Sequence, residues 1–98
     1  MTIHIDPEQN EVRALEHVTN WLRERVIEIG CGDGRLTLRL ALLGAFVHAI
    51  DPDARLIRTA RRKLPKRFTR RIRYHIGKAE HLDHANESFD LAVFAWSL

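Results

Sequence analysis

Val26-Ile-Glu-Ile-Gly-Cys-Gly-Asp-Gly34 is an apolar run that closes on an acid and three glycines at alternate positions. Seventeen residues after the last glycine a second apolar run, Phe46 to Ile50, ends in Asp51. Strand, tight turn, helix, strand and acid in that order make a nucleoside-binding half-site. A ligand lying over the strand ends needs close backbone approach, which side chains at Gly30, Gly32 and Gly34 would block. The open N-terminus of the following helix offers N–H groups to a carboxylate or phosphate. Asp51 stands where one carboxylate can accept from both vicinal hydroxyls of a ribose.

Glu28 narrows the ligand class. A dinucleotide would bring its pyrophosphate to this turn and meet repulsion from the acid, whereas an ammonium or sulfonium would be attracted. The spacing agrees, because the dinucleotide fingerprint G-x-G-x-x-G requires a small residue at position 35, which is Arg.

The flanking sequence supplies the remaining elements. Asp6-Pro7-Glu8-Gln9 has a cap, a first-turn proline and a capping-box Gln, and Val12, Leu15, Val18 and Leu22 follow at helical spacing. A helix is therefore expected over about 7–22. Val26–Ile29 reads as a strand, Arg35–Leu43 as a helix stopped by Gly44, and Phe46–Ile50 as a second strand. Asp53 caps a helix from Ala54 to about Leu64, ended by Pro65. Ile72–Ile76 reads as a third strand, Gly77–Ser88 as a polar loop, and Phe89–Trp96 as a fourth strand apolar enough to be central. Alternating strands and helices imply an α/β fold, a Rossmann-like parallel sheet with helices on both faces. One domain is expected over 1–98, with an N-terminal helical part (1–24) and a ligand-binding part (25–98).

Composition bounds the rest. The 98 residues suit one small domain, and no apolar run is long enough to span a membrane. The start of the chain lacks the basic and apolar regions of a signal peptide, and the single Cys31 has no internal disulfide partner, so a cytoplasmic location is expected. Net charge is +3, unevenly spread: residues 1–50 hold five Lys/Arg and seven Asp/Glu, residues 51–98 eleven and six. The basic block between Arg55 and Arg73 suits phosphates or acidic partners, and equally suits a solvated helix face with its loop. Nucleic acid is not established by it.

The sequence resembles the class I S-adenosylmethionine (SAM) dependent methyltransferases, particularly the group containing the ubiquinone and menaquinone biosynthesis methyltransferases. Glu28-Ile-Gly-Cys-Gly-Asp-Gly34 is similar to the family's first motif and Ala49-Ile-Asp51-Pro52 to its second. Gly77-Lys-Ala-Glu80-His-Leu82 is similar to the third, and Ser88-Phe-Asp-Leu-Ala-Val-Phe94 to the stretch leading through the fourth strand. The resemblance runs from about residue 26 to the C-terminus. It implies SAM as cofactor and methyl transfer to a small-molecule acceptor that the sequence does not identify. Glu28, Gly30, Cys31, Gly32 and Gly34 would surround the methionine part. Asp51 would take the ribose, Pro52 would pack beside the adenine, and Ala79 and Glu80 would edge it. Backbone at Ala95 and Trp96 would face the methionine amino group.

Two departures from the family stand out. An acid usually follows Gly77, and here Lys78 does; a lysine cannot accept from the adenine amino group. The family's sheet has about seven strands, of which this sequence supplies four, so the substrate side is missing and the 98 residues are expected to be inactive alone. The far edge of the fourth strand then lacks a neighbour and invites self-association or a partner chain. The rival readings are a non-catalytic SAM-binding or interaction module and a dinucleotide-binding domain. No catalytic residue can be named, since methyl transfer from a sulfonium needs alignment more than an acid–base pair. No metal site is expected: His81 and His84 are two ligands short. Cys31 fits as a small packing residue between glycines, His75 falls on a polar strand face, and Trp21 anchors the first helix.

Overall fold

The computed structural model describes residues 2–5, 17–78 and 89–95. Five strands form one parallel sheet: β1 (Thr2–Ile5), β2 (Arg25–Ile29), β3 (Phe46–Asp51), β4 (Ile72–Ile76) and β5 (Leu91–Ala95). Their spatial order is β1-β5-β2-β3-β4. Two helices connect them, α1 (Arg35–Leu42) between β2 and β3 and α2 (Ala54–Lys63) between β3 and β4. The expected strands and helices of residues 25–76 thus form within one or two residues of their expected bounds.

Local chemistry explains those bounds. α2 starts at Asp53, whose Oδ1 accepts from Arg55 N at 2.9 Å and Leu56 N at 3.4 Å. It stops at Leu64, which is extended ahead of Pro65. α1 has no side-chain cap; Gly34 opens it in a left-handed conformation. It closes at Gly44, where a Cβ would lie 2.8 Å from Leu22 Cδ1.

Alternation along the strands sorts two faces. Val26, Val47, Ala49, Ile72, Tyr74, Leu91 and Val93 share one buried cluster with Leu36, Leu40 and Ala41 of α1 and Ile57 and Ala60 of α2. Leu40 and Ile57 are fully buried, each worth about 1.5–3 kcal/mol of apolar transfer. Both helices therefore cover the same face. The opposite face carries Ile27, His48, Ile50, Arg73, His75 and Phe94, paired across in register as Ile27↔His48, His48↔Arg73 and Ile50↔His75.

Three sequence expectations change. β1 was not foreseen, and it pairs in parallel with β5 from Thr2↔Ala92 to Ile5↔Ala95. β5, the fourth apolar run, therefore has neighbours on both sides, β1 and β2. The exposed far edge on which self-association was argued is not there. The physical reason is that a four-residue alternation, Thr-Ile-His-Ile, finds its hydrogen-bond partner some ninety positions away. The third difference lies before β2: His17 and Val18 are helical, but the chain has left the helix by Thr19. Leu22 N donates to Asn20 Oδ1 at 3.1 Å and Glu24 N to Trp21 O at 3.0 Å, so Trp21 is buried in a turn rather than on the helix. The rest of the 7–22 helix and most of the 77–88 loop lie outside the described residues. None of the described helices is long and apolar enough to cross a membrane.

Candidate functional site

The order β5-β2-β3 brings three strand ends together where the sheet's connectivity reverses, the usual place for a ligand crevice in an open α/β sheet. The turn Gly30–Gly34 rises from β2 at this point. Its backbone folds onto the neighbouring strand, with Gly30 N and Cys31 N both donating to Ile50 O at 2.9 and 3.0 Å. Gly34 N donates to Cys31 O at 3.0 Å, which tightens the turn into α1.

The three glycines serve different ends. A Cβ on Gly30 would lie 2.8 Å from Ala95 O, so this glycine lets β5 approach. A Cβ on Gly34 would collide with the Tyr74 hydroxyl and crowd Ala60, so this one seats α1 and α2 under the turn. Gly32 has φ +57°, and a Cβ there would meet nothing within 4 Å among the described residues. Its empty side is the open cradle over the strand ends.

Asp51 ends β3 beside that cradle and is 8% exposed. Its Oδ2 accepts from Gly32 N at 3.0 Å and its Oδ1 from Asp53 N at 2.8 Å. One carboxylate thus ties the glycine turn to the start of α2. Each oxygen keeps a further lone pair for a hydroxyl donor. Pro52 follows on the exposed surface, and Ile76, in register with Asp51, is 53% exposed at the same rim. The sequence reading had not singled out Ile76; its one signal is an apolar residue immediately before Gly77.

Glu28 stands on β2, two residues before the turn. It is fully buried beneath the turn, and Thr37 Oγ1 in the first turn of α1 donates to its Oε1 at 2.5 Å. Its Oε2 is the buried side-chain polar atom that lacks a partner among the described residues. Burial pushes the Glu28 carboxyl up to about 7, against the lowering effect of the Thr37 hydrogen bond and with a further rise from the Asp51 charge. The Thr37 bond ties Glu28 to the first turn of α1. Thr37 is a second residue missed in the sequence, where it interrupts the leucines of α1 with a hydroxyl.

Tyr74 completes the floor. Burial raises its phenol well above the ordinary range, opposed by the Thr37 hydroxyl. Burial also raises the Cys31 thiol, reinforced by Glu28 and Asp51, which suits a packing role. Asp33 bridges Arg35 at 3.5 Å and Lys63 at 3.6 Å, linking the turn to the end of α2. Of the expected site residues, Gly30, Cys31, Gly32, Gly34, Asp51, Pro52 and Ala95 gather at one end of the sheet, with Glu28 under them. Ala79, Glu80 and Trp96, with His81 and His84, lie outside the described residues. Among the described residues no His, Cys, Asp and Glu group could hold a metal ion.

Residues 26–98 match the methyltransferase domain family. The chain belongs to that family. Among relatives of this methyltransferase domain, a magnesium-protoporphyrin O-methyltransferase of Rhodobacter capsulatus is 38% identical over 74 residues, 76% of this chain and 32% of that protein. The fold is likewise that of solved SAM-dependent methyltransferases. A putative one from Listeria monocytogenes superposes with a TM-score of 0.75 at 22% identity, covering 93% of this chain and 41% of the other. Magnesium protoporphyrin IX methyltransferase from Synechocystis, solved with bound SAM, gives 0.60 at 25% identity over 68% and 33%. The 98 residues span about a third of the length of the curated relative named above.

Proposed function

We propose that this domain binds SAM across the Gly30–Gly34 turn and forms the cofactor half of an enzyme that methylates a small-molecule acceptor. The observation that carries the reading is the open side of Gly32 with the Asp51 carboxylate beside it, at the point where the strand order reverses. The donor set fits the cofactor. The first turn of α1, with no side-chain cap, offers N–H groups to a carboxylate. Asp51 offers acceptors to ribose hydroxyls, and Pro52 and Ile76 offer exposed apolar surface to an adenine. The Asp51 carboxylate, joined by Glu28 above about pH 7, makes the surroundings of the turn negative, which favours a cationic ligand over a pyrophosphate.

When bound, SAM supplies an electrophilic methyl group: the acceptor's electron pair forms the new bond to carbon as the carbon–sulfur bond returns its pair to sulfur, leaving S-adenosylhomocysteine. This chain's residues would hold and align that group. The acceptor side belongs to the part of the relatives that the 98 residues do not span, so these residues alone are expected to bind cofactor without turnover. Isothermal titration with SAM, S-adenosylhomocysteine and NAD tests the reading. Binding of the first two and not the third is expected. NAD binding in preference to SAM would replace this reading by the dinucleotide one, and binding of none would leave an interaction module.

A further inference from the structure

The end of the sheet opposite the glycine turn carries a second surface. From Ala54 to Ala79 the chain holds eleven Lys and Arg and no acid. Arg55 pairs with Asp53 at 3.8 Å and Lys63 with Asp33 at 3.6 Å. Three others, Arg70, Arg71 and Arg73, precede or enter the edge strand β4, are exposed, and line one cavity of about 190 Å³.

The floor of that cavity is aromatic. Phe46, 42% exposed, begins β3 with the Arg71 guanidinium 5.8 Å from its ring centre. His48 stands next along the same face, tilted over His75 at 4.3 Å and edge-on to Phe89 at 5.7 Å. Arg25 completes the lining, but its guanidinium is already bound to Asp90 at 3.2 Å. Arginines converging over exposed rings are the arrangement that holds phosphates while bases stack.

We propose that this surface, Arg70, Arg71 and Arg73 lining a cavity with Phe46 and His48, binds single-stranded nucleic acid. The arginines take phosphates and the rings take one or two bases. β3 runs from this cavity to Asp51, so the surface lies about 17 Å from the cofactor cradle, at about 3.4 Å per residue. It is a docking surface independent of the cofactor reading, and either can fail without the other.

The test uses the full chain and a fluorescein-labelled oligouridylate of about twelve nucleotides, followed by anisotropy at about 50 and 200 mM salt. Binding at the lower salt is expected, weakened by salt with a slope of roughly 0.7 per phosphate contacted. Arg70→Ser/Arg71→Ser/Arg73→Ser should weaken it by about tenfold or more and lower the slope by about two. Phe46→Ala should weaken it about fivefold or more and leave the slope unchanged. Both variants alter exposed side chains, and Trp21 fluorescence in urea checks that they fold. Absence of binding at low salt overturns the proposal. So does an equal loss in Arg55→Ser/Arg58→Ser/Arg62→Ser, which would make the effect one of bulk charge. Displacement by polyglutamate as effective as by unlabelled oligouridylate would assign the surface to an acidic protein instead.

Discussion

Glu28→Gln should make the protein more stable, and more so as pH rises. Glu28 is fully buried, one oxygen accepts from Thr37, the other has no partner among the described residues, and burial lifts the carboxyl from about 4.5 to about 7. A raised acid holds its proton in the folded state over a range in which the unfolded chain has lost it. Folding is then favoured at low pH, and stability falls as pH rises from about 4.5 to about 7, beyond which the loss is constant. A shift of this size corresponds to about 3 kcal/mol near pH 8 and about 1 kcal/mol near pH 5. Glutamine keeps an acceptor for Thr37 and never ionises. The variant should therefore gain on the parent by about 2 kcal/mol between about pH 5 and pH 8. Other titrating groups, His48 among them, are common to both proteins and cancel in the difference. Urea unfolding followed by the fluorescence of buried Trp21 supplies the numbers. A stability difference that stays constant across this range, or one that favours the parent increasingly at high pH, would refute the picture of a strained, buried carboxylate.

Four further outcomes follow from the geometry. Asp51→Ala should weaken SAM binding by about 2–4 kcal/mol in calorimetry; unchanged affinity would remove Asp51 from the cofactor site. Gly34→Ala should cost about 2–4 kcal/mol in urea unfolding, because the methyl group meets the Tyr74 hydroxyl at φ +91°, whereas a cost under about 1 kcal/mol would show that Tyr74 yields freely. Lys78→Asp should tighten SAM binding by roughly 1 kcal/mol, the value of one ordinary hydrogen bond, and weaker binding would take this loop away from the adenine. Deleting residues 1–5 should uncover the β5 edge that β1 now pairs, and light scattering should report a larger mass than for the intact chain; an unchanged monomer would show that the edge is protected otherwise.

What was legible in the sequence was local. Asp53 and Pro65 mark the ends of α2 through a cap and a missing donor, and Gly44 stops α1, so these bounds follow from neighbours a few positions away. The glycine turn and Asp51 were legible as a pair because their spacing matches one strand–helix–strand unit. The illegible parts depend on distant contacts. β1 is four residues whose partner is at the other end of the chain. The Thr37–Glu28 bond joins residues nine positions apart, and no pattern in Leu36-Thr37-Leu38 announces it.

The placement of the two acids changes how the site selects its ligand. Asp51 already holds Gly32 N and Asp53 N, so it is oriented and largely desolvated before any ligand arrives. Ribose hydroxyls would add to its remaining lone pairs without displacing the bonds that hold the turn, which is preorganisation built from the backbone itself. Glu28, one layer down, feels the Asp51 charge, which helps raise its own carboxyl. A ligand bringing positive charge to the turn would relieve both acids together, and one bringing a pyrophosphate would strain both. Charge discrimination therefore does not require Glu28 to touch the ligand. It requires only that Glu28 ionise, which its burial delays to about pH 7 and a cationic ligand would bring lower.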